Sequence, residues 1–344
     1  VSLDSAGGDE LEPITPREAV ERFIDRRQSD SSDETLQSYR YRLLQFVRWC
    51  EERGIMNVNV IDGRHIQEYL SFRQDELTRT TLNTQFGTIK KFFEFAVAIE
   101  AAEPSMPDKV QLLKPQTSKQ EDANDLKLDA DRAAEILDHL SRFRYASRDH
   151  ALLLLMWRTG ARMGALRGLD LDHFERDEQI LRFRHEPDRG LPLKNKDESE
   201  RDVALSEATT RVVADYVDTN REHYVDDDGR QPLLTTAFGR ASKQTIRQTI
   251  YTLTQPCEIG DCPHDEEPET CQYREHGHQS KCPSSLSPHR IRTGAITNMR
   301  EQGMPAEVVA ERVDATAQTI RYHYDRSDPR KRAEQRRDHL EDLD

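Results

Sequence analysis

The stretch Leu286–Arg326 limits what this chain can fold into more than any other segment. It opens LSPHRIRTGAIT and closes QTIRYHYDR. Ser287 suits a helix N-cap and Pro288 the first helical position. His289 and Arg292 are three positions apart, so they share one helical face. Both lie near the helix N-terminus, where unpaired backbone N–H groups favour an anion. Further along, Tyr324 is flanked by Arg321, His323 and Arg326. A fold that satisfies this stretch brings a phenol, an imidazole and guanidinium groups around something of phosphate size.

The chain has 344 residues, enough for two domains with separate cores. Its longest apolar run, ALLLLMW from Ala151 to Trp157, is too short to span a bilayer. The polar start VSLDSAGGDELEP does not read as a signal peptide, so a soluble, cytoplasmic protein is expected. A net charge of −14 argues by itself against nucleic-acid binding. The acids, however, gather in loop-like segments such as SDSSDE, KDESERD, DDDGR and HDEEPE. A halophile-like surface, with acids facing solvent and cations kept for a working face, accommodates both facts.

Residues 1–13 read as a disordered acidic leader. From residue 14 to 105 apolar residues recur at helical spacing. One stripe is Ala19, Val20, Phe23 and Ile24. A second is Leu36, Tyr39, Leu43, Phe46, Val47 and Cys50. Asp62-Gly63 precedes a third helix, and Thr80 opens a fourth that carries Phe86, Phe92, Phe93 and Phe95. Cys50 and the phenylalanines fall on core faces. Arg40, Arg42, Arg48, Arg79, Lys90 and Lys91 lie off the apolar stripes, on a face suited to solvent or to phosphates. Residues 106–126 are rich in proline and polar residues and read as an interdomain linker.

The second domain spans residues 127–344. Helices are expected over Ala130–Leu140 and Ala146–Arg158, the latter stopping at Thr159-Gly160, with Arg162 at the break. Ile180–Arg184 and Asp202–Leu205 alternate like strands, and Lys194 and Lys196 fall between them. Thr209–Tyr224, Ser242–Leu253 and the polar tail Arg330–Asp344 read as helical. The fold class is therefore mainly α with a small β-hairpin.

An insertion over residues 256–283 carries four of the five cysteines: Cys257, Cys262, Cys271 and Cys282. It has four prolines, many acids and almost no apolar residues, so it cannot build a core. Clustered cysteines in an intracellular chain point to metal before disulfides. A structural zinc held by the four thiolates is expected, with His264, His276 or His278 as replacement ligands.

These motifs together resemble the tyrosine recombinases, or phage-type integrases, and more narrowly their haloarchaeal members. The motifs are T-G-A-R-M-G-A-L around Arg162, K-N-K-D-E-S-E-R-D-V-A-L around Lys196, H-R-I-R from His289 to Arg292, and R-Y-H-Y-D-R around Tyr324. The resemblance implies a SAM-like core-binding domain followed by a catalytic domain of the DNA breaking-rejoining fold. It implies a catalytic set of Arg162, Lys196, His289, Arg292 and the nucleophile Tyr324, with Lys194 and Tyr322 as runners-up. It further implies double-stranded DNA as partner, a homo-tetramer on DNA, strand exchange through a 3′-phosphotyrosine, and no catalytic cofactor. Two positions depart from the family pattern. Ala165 stands where the family has glutamate, and Asp314 where it has histidine or tryptophan. They leave a second reading, a DNA-bound regulator of the same fold without cleavage.

Overall fold

The computed structural model describes residues 13–116 and 126–324, apart from the side chains of 322–324. The chain divides into two compact units, 1–124 and 125–344. Among the described residues, no helix is long and apolar enough to cross a membrane.

The first unit contains α1 (Pro16–Arg27), α2 (Asp33–Glu52), α3 (Gly63–Gln74), α4 (Arg79–Ala98) and α5 (Met106–Leu113). The hydroxyls of Thr15, Ser32 and Thr78 each accept a backbone N–H at the start of α1, α2 and α4. Asp62 and His65 form a reciprocal capping box on α3. These caps fix where each helix begins, and the apolar stripes then fix which face turns inward. Phe46, fully buried, meets Tyr69, Phe92 and Phe93 edge-on and stacks near Trp49. Cys50 lies in the same core, where burial pushes its thiol pKa up to about 12.

The segment expected to be a linker over 106–126 begins instead with α5. Pro107 occupies the first turn, where its missing N–H has no intrahelical partner to lose. Met106 and Val110 are fully buried, and α5 packs on α3 and α4. Burial of this short apolar face overrides the proline-rich composition. The remaining linker residues 117–125, the leader 1–12 and the tail 325–344 lie outside the described residues.

The second unit contains α6 (Ala130–Phe143), α7 (Arg148–Thr159), α8 (Met163–Arg167), β1 (Phe174–Glu175), β2 (Ile180–Phe183) and β3 (Arg201–Ala204). It continues with α9 (Glu207–Asp215), β4 (Thr235–Thr236), β5 (Gly239–Arg240), α10 (Lys243–Leu253), α11 (Pro288–Glu301), α12 (Ala306–Val313) and α13 (Ala317–Tyr324). The apolar run expected at ALLLLMW is the middle of α7. It is buried from His150 to Trp157 and packs against α6, α9 and α11. The expected hairpin is the antiparallel pair β2–β3, with Phe183 opposite Arg201, and β1 adds a third strand. Helix α9 ends in a π-helical turn, Tyr216–Asn220, so the helix expected up to Tyr224 stops short.

Candidate active site

The site is assembled where three irregular backbone turns meet. Helix α7 ends at Gly160, whose φ is 59°. A side chain there would sit 2.8 Å from Val313 Cγ1, so both the turn and the close approach call for glycine. The chain then extends through Arg162, the N-cap residue of α8, whose guanidinium reaches Asp314. Helix α12 ends at Asp314, also left-handed at φ 56°. Between β2 and β3, a long loop carries Lys194, Asn195 and Lys196, the last at φ 58°.

Arg292 lies in the first turns of α11 and is 5% exposed. It donates to the carbonyl of Gly160 at 2.7 Å, to that of Val313 at 2.5 Å and to that of Asp314 at 3.4 Å. One guanidinium thus braces the ends of both α7 and α12. The Asp314 carboxylate pairs with Arg162 Nη1 and accepts from Asn195 Nδ2 at 3.0 Å. His289 projects at the rim of the same region. Its pKa is lowered from 6.5, first by partial desolvation and then by the positive charges of Arg290, Arg292, Arg162 and Lys194. An imidazole so placed stays neutral near pH 7 and able to accept a proton.

Of the residues singled out from sequence, Arg162, Arg292, His289 and Lys194 therefore share one electrostatic neighbourhood. Lys196 is exposed on the same loop. Ser287 holds the N-cap position of α11, but its side chain makes no capping hydrogen bond. Tyr322 and Tyr324 are in α13, and that helix packs against α11 and α12 with Ile320 fully buried. The phenol groups of both tyrosines, with the flanking His323 and Arg326, lie outside the described residues. A two-residue elbow, Ala315-Thr316, joins Asp314 to α13. Ala315 N–H donates to Ala310 O at 2.9 Å, and the Thr316 hydroxyl accepts from Thr319 N–H at 3.1 Å.

Arg201 was not anticipated. It begins β3, stacks over the Phe183 ring at 4.1 Å and donates to Arg312 O at 2.9 Å. Burial, with Arg292, Arg162 and Arg312 nearby, pushes its pKa down to about 10, while Asp314 opposes that shift. A cleft of about 570 Å³ opens beside it, lined by Arg184, Ser199, Asp314 and Ala315 among others. The only sequence signal for Arg201 is its place at the head of a strand following the lysine loop.

The cysteine insertion folds as three short 3₁₀ turns, Pro256–Glu258, Gln272–Arg274 and Gln279–Lys281. Polar contacts tie it down. Gln255 Nε2 donates to Tyr273 O at 2.8 Å, and His264 Nε2 lies 2.9 Å from Ser284 Oγ. Cys271 and Cys282 are buried, and Cys257 and Cys262 half-buried. Among the described residues, the one group of three or more metal-ligand side chains within 4.8 Å of one another is Asp170, Asp172 and His173. The structure thus does not draw three of the four sulfurs to that spacing. Asp170 is itself committed elsewhere, paired with the buried guanidinium of Arg230 at 2.6 Å and the half-buried one of Arg240 at 2.5 Å.

Residues 20–100 match the phage integrase N-terminal SAM-like domain, and residues 127–330 match the phage integrase family. The tyrosine recombinase XerD of Staphylococcus aureus is 24% identical over 316 residues, covering 90% of this chain and 94% of that protein. Among solved structures, the Tn1549 transposon integrase in complex with a circular intermediate DNA aligns with a TM-score of 0.69 at 13% identity, covering 94% of this chain and 99% of that one. A lambda integrase dimer bound to a COC′ core site aligns at 0.62 and 11% identity, covering 92% and 79%. The chain therefore belongs to the phage integrase family, and carries that family's SAM-like domain ahead of its catalytic domain.

Proposed function

We propose that this protein is a site-specific DNA recombinase that cleaves and rejoins DNA through a 3′-phosphotyrosine. The observation that carries the reading is the convergence of Arg162, Arg292, His289 and Lys194 beside the helix that bears Tyr322 and Tyr324. A phenol with a pKa near 10 attacks a phosphodiester only when held in line and relieved of its proton. Tyr324 is the nucleophile in this reading, and His289, kept neutral by its cationic neighbours, accepts the phenolic proton. Arg162 and Arg292 stabilise the non-bridging oxygens, where negative charge develops. A lysine of the β2–β3 loop, Lys196 or Lys194, protonates the departing 5′ oxygen.

DNA is the proposed partner, with a tetramer as the working assembly. In the first unit, a groove of about 560 Å³ between α2 and α4 supports this. Its lining includes Ser38, Tyr41, Arg42, Thr80, Thr81 and Thr84, hydroxyl and cationic groups suited to phosphates, with Arg73 beside them paired to Glu76. The acid-rich loops support a haloarchaeal, salt-adapted member acting in the cytoplasm, one that keeps its DNA affinity at high salt, where ordinary phosphate binding weakens. A structural zinc in the insertion is also our proposal. It is supported by four thiols within a segment that has almost no apolar residues, and it requires the sulfurs to move together on binding. Metal analysis of protein purified without chelator tests it.

The central test uses a duplex selected by the protein from a randomised pool, nicked beside successive phosphates. A covalent protein–DNA adduct, lost in Tyr324→Phe and retained in Tyr322→Phe, is expected. Tight binding without any adduct would instead identify a DNA-bound regulator.

A further inference from the structure

We propose that Asp314 is the positioning residue of this site, tying Arg162 and the lysine-bearing loop into one pocket around the scissile phosphate. Three separate parts of the chain meet on this one residue. Its carboxylate holds Arg162 at the start of α8 through one oxygen and Asn195 of the β2–β3 loop through the other. Its backbone carbonyl accepts from Arg292 of α11. Asn195 lies between Lys194 and Lys196 in sequence, and its own N–H is anchored to Ser199 Oγ at 3.1 Å. Fixing Asn195 therefore fixes the loop lysines relative to Arg162 and His289.

The charges support this role. Arg162, Arg201 and Arg292 face the same region, and Asp314 is the carboxylate among them. Its negative charge offsets part of the mutual repulsion that would splay these guanidiniums before DNA arrives, and further acids, Glu198, Glu200, Asp202 and Glu311, line the cleft beside Arg201. Asp314 pairs with Nη1 of Arg162, whose side chain is still 29% exposed, and a guanidinium has five donors, so capacity remains for a phosphate. The Asp314 side chain itself is 11% exposed, and its backbone is set in a left-handed turn that closes α12. It is thus held by its own element and holds the others. Arg162 has no partner in its own helix that could do the same, since Ala165 one turn on offers only a methyl group.

The inference rests on the cleavage reading above, and the test separates the two. In the cleavage step the tyrosyl oxygen–phosphorus bond forms and the phosphorus–O5′ bond breaks. The phenolic proton passes to His289, and the 5′ oxygen takes a proton from a loop lysine. If sulfur replaces the bridging 5′ oxygen, the leaving group departs as a thiolate and needs no proton. The selected duplex is therefore prepared with an ordinary or a 5′-phosphorothiolate linkage at the cleaved position, and adduct formation is timed at saturating DNA.

Asn195→Ala, which cuts only the loop half of the tie, is expected to slow the ordinary substrate about 10²-fold, as for a misplaced catalytic group. It should cleave the phosphorothiolate nearly as fast as the parent. Asp314→Asn, which weakens both halves, should slow both substrates, the ordinary one more, with DNA affinity little changed. Lys194→Ala and Lys196→Ala serve as references. If neither lysine variant is recovered by sulfur, the proton-donor reading fails, whatever Asn195→Ala does. If a lysine variant recovers and Asn195→Ala does not, the tie to the loop is refuted. If Asp314→Asn cleaves as fast as the parent or faster, Asp314 is a competing anion and the proposal is overturned. Should Asp314→Asn fold poorly, Asn195→Ala, an exposed loop change, still decides the matter.

Discussion

The core of the first unit and the pocket of the second are held together by different physics. Around Phe46 in the first unit, aromatic rings meet edge to face on regular helices, and each helix starts at a side-chain cap. Around Arg292 in the second, buried guanidiniums hold carbonyl groups at the ends of α7 and α12, where the backbone is left-handed at Gly160 and Asp314. The first arrangement is tolerant, because apolar burial is non-directional and additive over many contacts. The second is unforgiving, because each donor must find its acceptor. Substitutions in the first should cost stability and leave chemistry intact, and substitutions in the second should cost chemistry, with or without a loss of stability.

Phe46→Ala offers the largest contrast. Removing a fully buried ring with four aromatic neighbours should destabilise the first unit by about 3–5 kcal/mol in calorimetry. Adduct formation at saturating DNA should be unchanged, and a large loss of rate would break the comparison. Arg292→Ala is its counterpart. Adduct formation should fall by ~10²–10³, the usual effect of deleting one donor to a developing oxyanion. A variant that melts early but cleaves normally would show that Arg292 only braces the fold. Gly160→Ala sharpens the contrast within the pocket. The left-handed turn and the approach of Val313 should cost about 1–3 kcal/mol and displace the carbonyl that Arg292 holds, so stability and rate should fall together.

Asp62→Ala should lower the stability of the first unit by about 1 kcal/mol through loss of its cap on α3, with no effect on cleavage. The smallest effect is expected from pH. His289 has its pKa lowered by folding, so the unfolded chain binds this proton more readily than the folded one. Its contribution to stability is fully present above the unfolded value of 6.5 and is lost as pH falls through the lower folded value. In the DNA-free protein the His289 imidazole should accordingly titrate below 6.5 by NMR, and a titration above that value would show that its surroundings do not disfavour the imidazolium.

The contrast between core and pocket also explains what the sequence makes legible. The stripes of α1 to α4, the cap at Asp62 and the stop at Gly160 were legible because spacing and turn chemistry are local. Helix α5 was not, because its start is hidden by Pro104 and Pro107 and its reason for existing is burial against α3 and α4. Arg162, His289 and Arg292 could be picked out by motif. Arg201 and Asn195 could not, since they become part of the pocket only through pairing across the sheet and through Asp314. Asp314 itself stood out only as a departure from the family's histidine or tryptophan, whereas the structure gives it Arg162 and Asn195 to hold.

The short elbow at Ala315-Thr316 carries one mechanical implication. With one residue bonded back to α12 and the next capping α13, there is no slack between the anionic anchor and the tyrosine-bearing helix. A shift at one end must be felt at the other. A swing of the nucleophile toward a distant strand must therefore carry the whole α12–α13 corner along as a rigid lever.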